Sequence, residues 1–246
     1  MPRYHLTIEY DGTDFVGWQR QENGPSVQQS LEEAIAVFAG GPVTVFGAGR
    51  TDAGVHALAQ AAHVDFDARM PAGKVRDAAN YHLKPLPIAI LDAREVGDDF
   101  HARFSATSRH YLYRLIDRRA PMTLDRARIW RVSQSLDAEA MHRAAQALIG
   151  KHDFTTFRST NCQATSPVKT LNKISVVRDG PEIHLKTNAR SFLHNQVRSI
   201  VGSLVEVGRK RWPERKIAEI LAATDRTSCG PVAPPHGLYL SAVDYD

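Results

Sequence analysis

Segments whose apolar residues recur at every second position alternate along this chain with segments whose apolar residues recur three and four apart. They do so in the same order twice, and that order restricts the fold more than any single residue. Leu6, Ile8 and Tyr10 alternate with Thr7 and Glu9, so residues 4–10 read as a half-buried strand ended by Asp11-Gly12. The following loop, residues 14–21, is polar but carries Phe15 and Trp18, which are expected to fold back onto the core. Ser26 and Gln29 then have the spacing of a capping box, and Val27, Leu31, Ile35 and Phe38 mark a helical stripe to Ala39, stopped by Gly40-Gly41. Residues 42–46 and 58–66 read as two strands, with Val64 and Phe66 on one face. Pro71 opens a helix to about Leu83, Pro85-Leu86-Pro87 breaks it, and Ile88-Ala89-Ile90-Leu91 starts another strand. The result is β-α-β-β-α-β, the ferredoxin-like split βαβ pattern.

The second half repeats the order. Tyr111, Tyr113 and Leu115 share one face of a strand over 109–117. Asp137 begins a helix with Met141, Ala145, Leu148 and Ile149 inward, stopped by Gly150, and residues 151–170 read as irregular and polar. Strands over 171–178 and 182–187 flank the hairpin turn Asp179-Gly180. A long helix is expected from about Arg190 to Val207, with Leu193, Val197, Ile200, Val201 and Leu204 buried and Arg190 and Arg198 largely off that stripe. Another helix runs from Pro213 to about Ala223, then a proline-bearing loop over 224–236, and Leu238-Tyr239-Leu240 starts a closing strand. The expectation is an α/β (α+β) fold of two ferredoxin-like halves, residues 1–103 and 104–246, forming a mixed, mainly antiparallel sheet flanked by helices. A cleft between such halves is the natural place for a site.

Composition narrows the function classes. Of 246 residues, 43% are hydrophobic and 24% charged, ordinary values for a soluble globular protein. No apolar run is long enough to cross a bilayer, and no signal peptide is visible. Two cysteines, Cys162 and Cys229, make no disulfide scaffold and suit a reducing cytosol. No Cys or His cluster has metal-ligand spacing, and His101 and His110 are too isolated to argue for zinc. The net charge of +4 points weakly to an anionic partner. Between His101 and Arg131, however, lie eight arginines and only two acids, interleaved with Phe104, Tyr111, Tyr113 and Trp130. Basic stretches with aromatics suit structured RNA, and equally a solvated surface over core aromatics.

The chemistry concentrates in the stretch from Phe46 to Ala57. Gly47, Gly49 and Gly54 allow tight turns or close approach to a ligand. Arg50 and Asp52, two apart, can point the same way from such a loop. A guanidinium beside a carboxylate favours its ionised form, and an ionised aspartate in a rigid loop can act as a nucleophile. A polar turn in which Asp52 accepts backbone hydrogen bonds has the same local pattern.

Read as GRTDAGVHA, this loop closely resembles the catalytic motif of the tRNA pseudouridine synthase A family. Tyr10-Asp11-Gly12-Thr13 through Gly17-Trp18-Gln19 resembles the family's opening signature. Phe104-Ser105-Ala106-Thr107 followed by Arg109-His110-Tyr111-Leu112-Tyr113 resembles its central tyrosine motif. His152-Asp153-Phe154, residues 191–198 from Ser191 to Arg198, and Ala233-Pro234 through Gly237-Leu238 match in order, so the likeness covers nearly the whole chain. Ala59 departs from it, standing where the family usually has glycine.

The resemblance implies an isomerase that converts uridine to pseudouridine at positions 38 to 40 of the tRNA anticodon stem-loop, with no metal or cofactor. It implies a cytoplasmic homodimer with tRNA as its partner. It carries the nucleophile onto Asp52 and substrate-binding roles onto Tyr111, Arg50 and Arg198. Tyr111 would stack on the flipped uracil, Arg198 would pair with the aspartate, and Arg50 would meet phosphate or help extrude the base. Whether the carboxylate attacks C1′, attacks C6 or assists elimination at the sugar stays open. His56 and His63 are expected to be structural.

Overall fold

The computed structural model describes residues 1–245. Along the chain run β1 (Arg3–Tyr10), α1 (Val27–Ala39), β2 (Val45–Gly47), β3 (His56–Asp65), α2 (Ala72–Leu83) and β4 (Ile88–Val96). Then come β5 (Ala106–Asp117), β6 (Trp130–Val132), α3 (Ala138–Ala145), β7 (Gly150–Asp153), β8 (Val168–Asp179) and β9 (Glu182–Ala189). The chain closes with α4 (Gln196–Gly208), α5 (Lys216–Ala223) and β10 (Leu238–Tyr245). Two compact units contain these elements: Met1–Thr107 together with Tyr239–Asp246, and Ser108–Leu238.

In the first unit β1 lies between β4 and β3 and is antiparallel to both, with Leu6 opposite Ala93 on one side and Ala62 on the other. β2 is antiparallel to β3, with Phe46 opposite His63. The order β4-β1-β3-β2 therefore splits the pair β1 and β2 by β3, as a ferredoxin-like plait requires. β10 adds to β3 in parallel at Tyr239–His56 and Leu240–Ala57. Ser26 caps α1, its Oγ accepting from the Gln29 amide at 3.3 Å. Leu31 and Ile35 of α1, and Val75, Ala79 and Leu83 of α2, are buried, as are Leu6 and Ile8 of β1. Phe15 and Trp18 are buried too, as expected of them.

In the second unit the order is β5-β9-β8-β7, antiparallel throughout, and β6 pairs in parallel with β5 at Leu115–Trp130. Three local expectations need correction. The helix expected from Arg190 starts at Gln196, because β9 continues to Ala189 and Asn195 takes a left-handed conformation, φ 63°. Asparagine tolerates that conformation better than most residues. The stretch 151–170 is not wholly irregular, since β7 pairs with β8 and a short 3₁₀ turn covers Thr155–Phe157. Ile149 is exposed rather than inward, because α3 ends at Ala145 and a 3₁₀ turn over Gln146–Leu148 rotates it away. The first unit's leading segment ends at Thr107, and β10 belongs to that unit although it follows the helices of the second.

Two buried imidazoles in the first unit link this packing to pH. His5 Nδ1 accepts from Arg94 Nε at 3.1 Å, and His63 Nδ1 accepts from the Ala102 amide at 3.1 Å. Both bonds need an unprotonated nitrogen. Burial is the main cause that pushes each histidine down to about 4, with Arg94 adding to it for His5 and His101 for His63. The unfolded chain takes up these protons as pH falls through the ordinary histidine value, while the folded chain resists until about pH 4. The stabilisation is therefore full above about pH 7 and lost on acidification through that window. Asp65, held below its usual range chiefly by its hydrogen bond with Arg3, loses its contribution only at lower pH. Urea denaturation should show the folded chain less stable at pH 5 than at pH 8, by about 2 kcal/mol per histidine. His63→Gln, which keeps an acceptor for Ala102, should flatten that dependence.

Candidate active site

Asp52 sits in the loop between β2 and β3, and backbone contacts fix that loop from several directions. The Ala48 amide donates to Ala61 O at 2.7 Å, and the buried Gln60 donates from Nε2 to Gly49 O at 2.9 Å. The Trp18 amide donates to Thr51 O at 3.0 Å, and Gly17 and Asp52 form an antiparallel bridge. Gly17 has φ +118°, and a Cβ there would lie 2.6 Å from Thr51 O, so the approach depends on glycine. Thr51 Oγ1 shares a hydrogen bond of 2.7 Å with the hydroxyl of Tyr10, a buried residue of β1. Burial dominates at Tyr10 and holds its phenol protonated far above the usual range, so this bond persists at all physiological pH.

His56, the first residue of β3, is structural in the way its position suggests. Its Nδ1 accepts from the Gly12 amide at 3.0 Å, and its ring stacks on Tyr239 with centroids 4.8 Å apart. The loop thus hangs from β1, β3 and the turn after β1 together. Asp52 is half-buried at its tip and Arg50 is exposed. The Val55 amide donates to Asp52 O at 3.1 Å, which closes the turn after the carboxylate.

Tyr111 and Arg198 belong to the second unit. Tyr111, half-buried on β5, meets Phe192 edge to face at 5.1 Å. Tyr113, two residues on and fully buried, donates from its hydroxyl to Pro234 O at 2.7 Å. Arg198 lies in the first turn of α4, where the helix dipole disfavours a cation. Side-chain and backbone bonds hold it there. Its Nε donates to Ala233 O at 2.8 Å and its Nη1 to Asn195 Oδ1 at 2.9 Å, while the Ala233 amide donates back to Arg198 O at 3.1 Å. Asn195 therefore both turns the chain into α4 and aims the guanidinium. Burial raises the Tyr113 phenol well above its usual value, with the charge of Arg198 opposing that rise. The segment Ala233-Pro234 thus ties the tyrosine strand to the arginine helix.

That segment is seated by close packing. Gly202 faces the Pro231 carbonyl so closely that a Cβ would collide with it, and would lie 3.2 Å from the Ala233 nitrogen. The Gly230 amide donates to Ser203 Oγ at 3.1 Å. Sequence reasoning placed a proline-bearing loop here but missed its role as the clamp on Arg198. The spacing Ser199, Gly202, Ser203 on a helix is the signal that another backbone approaches it. Among the described residues no group of three or more His, Cys, Asp and Glu could hold a metal ion, and no helix is long and apolar enough to cross a membrane.

A glycine-bounded Arg-Thr-Asp loop, a tyrosine strand and an arginine at a helix start are separately anchored in this way. A family model described as tRNA pseudouridine synthase matches residues 6–105 and 144–246. The chain belongs to the tRNA pseudouridine synthase family. Proteins named tRNA pseudouridine synthase A from Maricaulis maris and Parvibaculum lavamentivorans are 66% and 63% identical to it. They align over all of this chain and over 98% and 100% of their own lengths. A third of that name, from Rhodopseudomonas palustris, is 61% identical over the full length of both. The Asp52 loop and the Asn195–Arg198–Ala233 clamp lie within the segments that the tRNA pseudouridine synthase model matches.

Substituting Gly202→Ala should force the 229–234 segment away from α4. Overpacking of this kind costs about 1–3 kcal/mol, which lowers a thermal midpoint by several degrees in a chain of this size. Ser203→Ala, which removes the bond to Gly230 without adding bulk, should cost less. Differential scanning calorimetry of the two variants checks the order.

Proposed function

We propose that Asp52 is the nucleophile in the isomerisation of uridine to pseudouridine in tRNA, at uridines 38 to 40 of the anticodon stem-loop. Family membership supports the reaction, and the half-buried Asp52 on a loop pinned to β1 and β3 is the observation that carries the residue's role. In this reaction the N1–C1′ bond breaks, the uracil rotates, and C5 bonds to C1′. N1 gains a proton and C5 loses one, so no oxidant or reductant is consumed. The target nucleotide has to leave its stack, because neither C1′ nor the base is reachable inside a helix. A carboxylate fixed by backbone contacts meets such a nucleotide without the entropy cost of ordering a flexible loop.

The other residues divide the remaining tasks. Arg198, held by Asn195 and Ala233, orients and charge-pairs the reacting carboxylate. Tyr111 stacks on the everted uracil and takes part in removal of the C5 proton. Arg50, exposed on the same loop as Asp52, meets phosphate or displaces the base. Service at three adjacent positions calls for reading shape and backbone rather than base sequence, for which arginine is suited. A homodimer in the cytoplasm, with one tRNA touching both copies, completes this reading.

Tritium release from C5-labelled uridine in tRNA tests it directly. Asp52→Asn should abolish release, at least a 10³-fold loss, while tRNA binding survives within a few fold. Arg198→Lys should lower kcat more than it raises KM, because a single ammonium replaces a two-point anchor. Equal activity of Asp52→Asn and wild type would remove the nucleophile from Asp52. Free uracil in the supernatant would show base release instead of isomerisation.

A further inference from the structure

The first unit carries an aromatic cluster that the isomerisation does not use. Phe46, on β2, is 45% exposed, and Phe104, just before β5, is 69% exposed. Tyr4, Tyr10, Phe15, Trp18 and Phe66 of the same unit are at most 5% exposed, and Tyr81 on α2 is 71% exposed. Phe46 and Phe104 are joined through histidine rings. Phe46 stacks on the buried His63 with centroids 5.0 Å apart and planes at 15°. His101 sits 4.6 Å from His63, 5.8 Å from Phe46 and 4.4 Å from Phe104. Arg103 lies over the Phe104 ring, 5.7 Å from its centroid.

We propose that Phe46, His101 and Phe104, with Arg103 beside them, form a stacking platform for an unpaired nucleobase of the bound tRNA other than the target uridine. The proposal rests on the reading of this chain as a tRNA pseudouridine synthase. An exposed ring offers an apolar face on which any base can stack, and a guanidinium beside it complements the base π-face or its phosphate. A copy–copy contact is the other occupant for exposed phenylalanines. The cation already seated on the outermost ring favours an anionic, aromatic partner over a second cationic chain with net charge +4. His63 and His101 are both held down from the usual histidine value, mainly by burial, so the rings stack as neutral imidazoles. Phe46 precedes Asp52 by six residues, which span at most about 21 Å, so the base concerned stands close in space to the target.

The test is a binding cycle with full-length protein and tRNA. Binding is measured for wild type, Phe104→Leu, Phe46→Leu and Phe104→Tyr, against tRNAs carrying a single abasic site at each unpaired position of the anticodon loop. Loss of one stacked base is expected to weaken binding about tenfold. Phe104→Leu should show that loss and Phe104→Tyr should not. One abasic position should weaken wild type about tenfold and leave Phe104→Leu unaffected, since the partner ring is already gone. Unchanged binding by Phe104→Leu and Phe46→Leu, or equal abasic penalties in wild type and variants, overturns the platform. So does a halved mass of Phe104→Leu in sedimentation equilibrium without RNA, which assigns the patch to a copy–copy contact. Wild-type tritium release is measured in parallel. If it is intact while the cycle is flat, the platform fails alone; if it is absent, the tRNA isomerase reading fails with it.

Discussion

The hydrogen bond between the Tyr10 hydroxyl and Thr51 Oγ1 connects the interior of a sheet to the residue before the candidate nucleophile. Both partners are buried, so the bond is neither solvated nor easily exchanged. Around it the Gly17–Trp18 backbone pairs with Thr51 and Asp52, and the Gly12 amide meets His56 at the loop's other end. A loop tethered at so many points behaves as an extension of β1 and β3. The position of Asp52 is thereby decided by the plait, whose register is fixed by Leu6 and Ile8 facing the core.

The second unit applies the same logic with different parts. Arg198 stands where helix electrostatics oppose it, and the opposition is met by an asparagine side chain and a backbone carbonyl. That carbonyl is available only because Gly202 lets the 229–234 segment lie against α4. The one segment also accepts the Tyr113 hydroxyl. Positions that cost local stability and are over-determined by their surroundings are those at which function is expected.

Much of this was legible in the residues. Period-two alternation in β1 and the Ser26–Gln29 cap of α1 are local signals, and both elements formed where those signals placed them. The Asp179-Gly180 turn joins β8 and β9 for the same reason. The start of α4 was misjudged because Leu193 and Val197 are four apart, a helical spacing, while the decisive feature was a left-handed Asn195 between them. β6 and β7 are too short to carry a period of their own and owe their existence to the longer neighbouring strands β5 and β8. The Asp52 loop stood out by its glycines and charges. The clamp on Arg198 did not, since it depends on two segments, 195–203 and 229–234, meeting in space.

The first unit is discontinuous in the chain, and that has a consequence for biosynthesis. Tyr239 stacks on His56, Tyr245 donates to Ala102 O, and both lie on β10, beyond the whole of the second unit. At translation rates of about 5–20 residues per second, the nascent plait waits on the order of ten seconds or more for its last strand. During that interval the β3 backbone that β10 will cover has no sheet partner there, and the His5 ring lacks its edge-to-face contact with Tyr245. A ribosome stalled late in the message would release a polypeptide holding every candidate catalytic side chain, yet lacking the strand that finishes the lobe carrying Asp52.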